Sequence, residues 1–134
     1  EAIHLLQKRY VRLISYAMFG AHSKPLFYKL DILNIYDLCR YQILLFVFKS
    51  INCLLPSRYT NYFTFTKEMY RYQTRSSKDR KLLTATAQRS ARINTLASRG
   101  PKCWNSLPTT IRSSLSQRTF KTSVKAHFLS QYID

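Results

Sequence analysis

The stretch IYDLCRYQILLFVFKSIN, residues 35–52, decides the fold class. Leu38, Tyr41, Ile43, Leu44, Leu45, Phe46, Phe48 and Ile51 make it apolar nearly all round. A helix of that kind belongs at the buried centre of a domain. Asn34 precedes it and Asp37 follows three residues later, a capping-box spacing in which Asp is shorter than the usual Glu. Leu54-Leu55-Pro56 ends it, since proline cannot continue a helix interior. Pro56 can then open a short helix carrying Tyr59, Tyr62 and Phe63.

Working outward, Ile3, Leu6, Tyr10, Leu13, Ile14 and Ala17 recur at helical spacing over residues 3–19. They predict an apolar stripe turned to the core, with Lys8, Arg9 and Arg12 facing out and Gly20 as the stop. Ser23-Lys24-Pro25 restarts a short helix through Leu30, packed by Leu26, Phe27 and Leu30. At the other end, Ser116 caps a last helix over residues 117–132. Its inner face is Phe120, Val124, Phe128 or Leu129, and Tyr132.

Residues 100–108, Gly-Pro-Lys-Cys-Trp-Asn-Ser-Leu-Pro, hold the only Trp between two prolines. Each proline fixes its own φ and pushes the residue before it towards extended geometry. Pro101, Trp104 and Pro108 therefore predict a rigid aromatic corner, with Trp104 a core anchor rather than a platform for a base. Residues 109–114 suit one or two helical turns. Residues 91–97 alternate as a strand would, and a partner strand is expected over residues 81–86. The fold expected is a small, mostly α domain with a short β-hairpin in its basic middle. Its parts are a helical stretch 1–65 with the core helix 35–52, a basic segment 66–102, and the Trp corner with the last helix, 103–134, all one domain.

Charge is the outlying property: 22 Lys plus Arg against 6 Asp plus Glu, a net charge of +16. Such an excess repels itself in the folded state, and a polyanionic partner, nucleic acid first, is the natural explanation. Half of it sits in residues 67–102, where ten basic residues oppose only Glu68 and Asp79, a net +8. Tyr70, Arg71, Tyr72, Gln73, Thr74 and Arg75 combine flat π-faces with guanidinium forks. Aromatics stack on unpaired bases while Arg and Lys meet phosphates. The candidate nucleic-acid contacts are Lys67, Arg71, Tyr72, Arg75, Lys78, Arg80, Lys81, Arg89 and Arg92, with Lys8, Arg9 and Arg12 a second group. Against this stands the plainer reading of Tyr72 as a core residue and of the charges as a solvated face.

Catalysis finds little support. The six carboxylates, Glu1, Asp31, Asp37, Glu68, Asp79 and Asp134, are scattered, whereas two-metal chemistry needs convergent ones. His4, His22 and His127 lack ligand spacing or a nucleophile partner. Cys39, Cys53 and Cys103 form neither a disulfide framework nor a Cys-x-x-Cys zinc pair. Cys39 and Cys53 read as small buried thiols in a reducing, intracellular setting, nucleus or cytoplasm. Neither a catalytic residue, a metal nor a cofactor is expected, and no apolar run reaches the ~18 residues of a membrane span.

The run Gly100-Pro101-Lys102-x-Trp104-Asn105-Ser106-Leu107-Pro108-x-x-Ile111, closed by Thr119-Phe120-Lys121, resembles the C-terminal end of open reading frames in LINE-type (non-LTR) retrotransposons. Leu6-Gln7-Lys8-Arg9-x-Val11-Arg12-x-Ile14 is similar to a run downstream of the polymerase active site in jockey-like elements. His22-Ser23-x-Pro25-Leu26-Phe27, Leu30-x-Ile32-Leu33-x-Ile35-x-Asp37-Leu38, Tyr41-Gln42 and Leu54-Leu55-Pro56 continue in the same order. Tyr72-x-Thr74-Arg75 resembles that family's Tyr-Asn-Thr-Arg box, with Gln73 in place of Asn. The other departures are Tyr10, Tyr36 and Cys103.

The resemblance implies a parent RNA-directed DNA polymerase whose fingers and palm, with the metal-binding Asp pair, lie upstream. It carries over no catalytic residue, and it places the chain at or after the polymerase thumb. Glu1 falls inside a helical pattern, which suggests a fragment. The function expected is to hold template RNA, or the RNA–DNA hybrid, without catalysis. The rivals are a structural module docked on the polymerase thumb and a decayed element fragment. An exposed apolar patch would favour docking.

Overall fold

The structure, a computed structural model, describes residues 2–69, 79–84 and 94–133. Among them it is mostly helical: α1 (Ala2–Ile14), α2 (Ser23–Lys29), α3 (Ile35–Ile51), α4 (Thr66–Met69), α5 (Leu96–Asn105), α6 (Thr109–Arg112) and α7 (Gln117–Ser130). A 3₁₀ turn, Ser57–Tyr59, follows α3. The chain divides into two compact units, residues 1–41 with 122–134, and residues 42–121.

The first unit is centred on Val11, Phe27, Leu33, Val124, Phe128, Leu129 and Tyr132, all buried. Asn34 caps α3 as its position predicts: Oδ1 accepts from the N–H groups of Tyr36 and Asp37, each at 3.0 Å. The return bond of a capping box is taken over by another residue, because the Asp37 side chain is too short to reach back. The Asn34 N–H donates to Tyr132 Oη at 3.1 Å, and Tyr132 Oη donates to Asp37 Oδ2 at 2.6 Å. Burial of the phenol and that donated bond together push the Tyr132 pKa well above its ordinary range.

α1 is turned the other way from expectation. Ile3, Leu6, Tyr10 and Leu13 are 49–69% exposed, and only Val11 of this helix is buried. The reason is polar. Gln7 Nε2 donates to the Leu33 carbonyl, and Gln7 Oε1 accepts from the Ile35 N–H, both at 2.9 Å. That N–H is one of the donors a helix start leaves without an intrahelical partner. Lys8 and Arg12, expected to face out, are half-buried. α1 also ends six residues before Gly20, in a Schellman turn: Tyr16 has φ 50°, its N–H bonds Leu13 O, and the Ala17 N–H bonds Arg12 O.

α2 and α3 end the same way, with Asp31 (φ 56°) and Cys53 (φ 55°) in the left-handed position. Cys39 and Cys53 are exposed, not buried thiols. Cys53 stands at a helix exit, where the side chain leaves the core, and Cys39 lies on the outer side of α3.

The second unit is built on Leu44, Val47, Phe48, Phe63, Leu82, Trp104, Leu107 and Phe120. Phe120 stacks on Phe48 at 4.4 Å between ring centroids and on Trp104 at 5.6 Å. The aromatic corner is not extended: Pro101 and Trp104 both lie within α5, and Leu96 and Ala97, expected in a strand, begin that helix. The φ that proline imposes is also a helical one. The residue before it is Gly100, which has no Cβ to clash with the ring. Gly100 is needed for a second reason: a Cβ there would lie 2.8 Å from the Phe63 ring and 3.1 Å from Val47 Cγ2. Among the described residues the one isolated bridge is antiparallel, Phe65 with Leu82, and it is not the pairing expected. Residues 85, 86 and 91–93 of the expected strands lie outside the described residues.

Candidate functional site

Lys67, Arg80 and Lys81 lie around the Phe65–Leu82 bridge. The Thr66 N–H donates to Lys81 O at 2.9 Å, and the Leu83 N–H to Thr64 O at 2.9 Å. α5 holds the far side of this segment with two consecutive side chains. Trp104 Nε1 donates to Arg80 O at 2.9 Å. Asn105 stands in for a strand: its Oδ1 accepts from the Leu82 N–H at 2.9 Å and its Nδ2 donates to Leu82 O at 2.8 Å. The backbone of Arg80, which takes a left-handed φ of 51°, is thus fixed from the core outward.

The consequence is a small cleft of about 190 Å³ lined by Phe65, Lys67, Glu68 and Arg80. Two cations and an aromatic ring meet there with one carboxylate. Asp79 faces Lys81 at 3.8 Å. Both acids of the basic segment therefore lie beside its cations and temper the local field. Trp104 is 1% exposed, so it supports this surface from below and offers no face to a base.

Arg9 and Arg12 line a different cleft, of about 350 Å³, with Leu13, Tyr16, Ala17 and Phe19. Arg12 is held there by the bond from Nε to Ala21 O at 2.9 Å. Lys8 lies on the half-buried side of α1, away from the stripe. Arg71, Tyr72, Arg75, Lys78, Arg89 and Arg92 lie outside the described residues.

Sequence reasoning passed over Asn105, Phe65 and the Tyr16–Phe19 rim. The order Trp-Asn in the 100–108 motif was the available signal for Asn105. It also passed over Arg112, which is 4% exposed, bonds Thr109 Oγ1 through Nη2 at 3.1 Å, and finds no partner for Nε and Nη1 among the described residues. Its guanidinium is closed to solvent and unsuited to meet a phosphate. Among the described residues no group of three His, Cys, Asp or Glu is arranged to hold a metal, and no helix is long and apolar enough to cross a membrane. No protein-family model, curated protein or solved structure matches the chain.

Proposed function

We propose that this chain is a non-catalytic, nucleic-acid-binding region from the C-terminal end of a non-LTR retrotransposon reverse transcriptase, where it holds template RNA or the RNA–DNA hybrid through backbone phosphates. The observation that carries the reading is the pinning of Arg80–Leu82 by Trp104 and Asn105, which sets Arg80 beside Lys67 in a chain of net charge +16. A core that spends its only Trp and a neighbouring Asn on positioning a cationic loop gives that loop a fixed surface to present. The ordered run of motifs is what supports the retrotransposon origin.

The test is fluorescence anisotropy with labelled single-stranded RNA and with an RNA–DNA hybrid. Lys67→Ala, Arg80→Ala and Lys81→Ala combined should weaken binding about tenfold or more at moderate salt, equally for unrelated sequences. Unchanged affinity in a variant that still folds would remove this surface from the account.

A specific observation favours a second reading, docking onto the polymerase. The stripe of α1 faces solvent, and scattered exposed apolar residues are ordinary whereas a contiguous row is a mark of an interaction surface. The two readings are compatible, since the exposed stripe and the Lys67–Arg80 cleft use different residues.

A further inference from the structure

We infer that the outer face of α1 is the seat of a partner helix whose apolar seam is edged with acidic residues. This rests on the docking reading and names its site and the chemistry of its partner.

Ile3, Leu6, Tyr10 and Leu13 are spaced 3-4-3, which is the a/d repeat of a two-helix seam. A stripe meant for the core of its own unit would be buried, yet these four are half to two-thirds exposed. The helix cannot roll to hide them without breaking both Gln7 bonds, to Leu33 O and from the Ile35 N–H, and the Arg12 bond to Ala21 O. The outward direction of the seam is therefore built in.

The edge of the seam selects the partner. Arg9 occupies the g position beside it, and Arg9 and Arg12 rim the cleft at its C-terminal end, whose floor is Leu13, Ala17 and Phe19. The described residues of α1 include no acid. Flanking charges of one sign choose a partner of the other sign and reject like-charged ones. A second copy of this chain would bring together two proteins of net charge +16, and in the antiparallel arrangement would set Arg9 against its own kind, so self-pairing is disfavoured.

The experiment uses the full chain and three probes: a three-heptad peptide with Leu at a and d and Glu at e and g, its Lys-edged counterpart, and vesicles of phosphatidylserine in phosphatidylcholine. The Glu-edged peptide should bind, and the Lys-edged one should bind about tenfold more weakly or not at all. Leu6→Asp with Leu13→Asp should weaken the Glu-edged peptide about tenfold or more, since a charge is placed in an apolar seam. These positions are exposed, so helicity by circular dichroism should hold. Arg9→Glu should shift the preference towards the Lys-edged peptide, a readout that mere loss of packing would not produce.

Failure of the Glu-edged peptide to bind, equal binding of both peptides, or binding that survives the paired Asp substitutions overturns the inference. So does cosedimentation with the vesicles that the Asp pair abolishes while neither peptide binds, or a dimer in sedimentation that the same pair dissolves. RNA affinity measured on Leu6→Gln with Leu13→Gln, which breaks the apolar seam without changing the net charge, keeps the two readings apart: it should be unchanged whether or not the peptide binds.

Discussion

Trp104 Nε1 donates to the carbonyl oxygen of Arg80 at 2.9 Å, and so a buried ring carries the backbone of a half-buried cation. Trp104→Phe keeps a ring against Phe120 but leaves Arg80 O without this donor. Stability should fall by about 1–3 kcal/mol, the range for a buried group left unpaired, as read from urea unfolding. RNA affinity should also fall, although no charge has been removed. A variant that loses stability and binds RNA as tightly as before would separate the Trp from the binding surface.

Tyr132→Phe removes a donor from the buried Asp37 carboxylate, which then keeps only Asn34 Nδ2 at 2.6 Å and the Arg40 guanidinium at 3.6 Å. A hydrogen bond to a charged group is worth about 1.5–3 kcal/mol, and that is the loss expected below pH 10. The Tyr132 pKa is raised in the folded state, first by burial and then by the bond to Asp37. Its contribution is therefore complete below the unfolded value of about 10 and is lost as pH climbs above it. The gap in unfolding free energy between wild type and Tyr132→Phe should be flat from pH 8 to about 10 and narrow beyond.

Gly100→Ala would gain about 1 kcal/mol of helix propensity. The added Cβ would nonetheless meet Phe63, whose ring is boxed in by Phe46 and Tyr62, and Val47. Overpacking of this kind costs about 1–3 kcal/mol, and a net loss of stability is expected by thermal unfolding. Gly20→Ala, with nothing within 4 Å of its Cβ, is the control and should be neutral or slightly stabilising.

Cys53 holds a φ of 55° at the exit of α3, in a conformation that L-residues adopt at a cost of about 1–2 kcal/mol. Cys53→Gly should raise stability by about 0.5–1 kcal/mol after the extra entropy of glycine in the unfolded chain is counted. Cys53→Ala, which keeps the Cβ, should bring no such gain.

Helices with one-sided patterns were legible. Phe120, Val124, Phe128, Leu129 and Tyr132 are buried along or just after α7, and Ser116 caps it through the Thr119 N–H at 3.1 Å. The same kind of stripe misled at α1, because periodicity shows which residues share a face and not what covers that face. Gln7 decided the matter through two bonds to a distant loop, which no local pattern encodes. In residues 96–105 the Gly-Pro pair read as a corner, since local rules weigh proline as a breaker. The close approach of Phe63 and Val47 to Gly100 is a tertiary fact, and it admits a helix there. Lys67 and Arg80 were legible as charges, but their meeting in one cleft depends on Trp104 and Asp79–Leu82 being brought together across the chain.

Salt dependence decides whether this chain grips nucleic acid through phosphates, as proposed. The affinity for a single-stranded RNA should be measured across a salt series for the wild type and for Arg71, Arg75, Arg80 and Lys81 all changed to Ala. Each phosphate contact contributes about 0.7–0.9 to the slope of log affinity against log salt, so the quadruple variant should have a slope shallower by about three units. An identical slope in a folded variant would rule out phosphate contacts by these four residues.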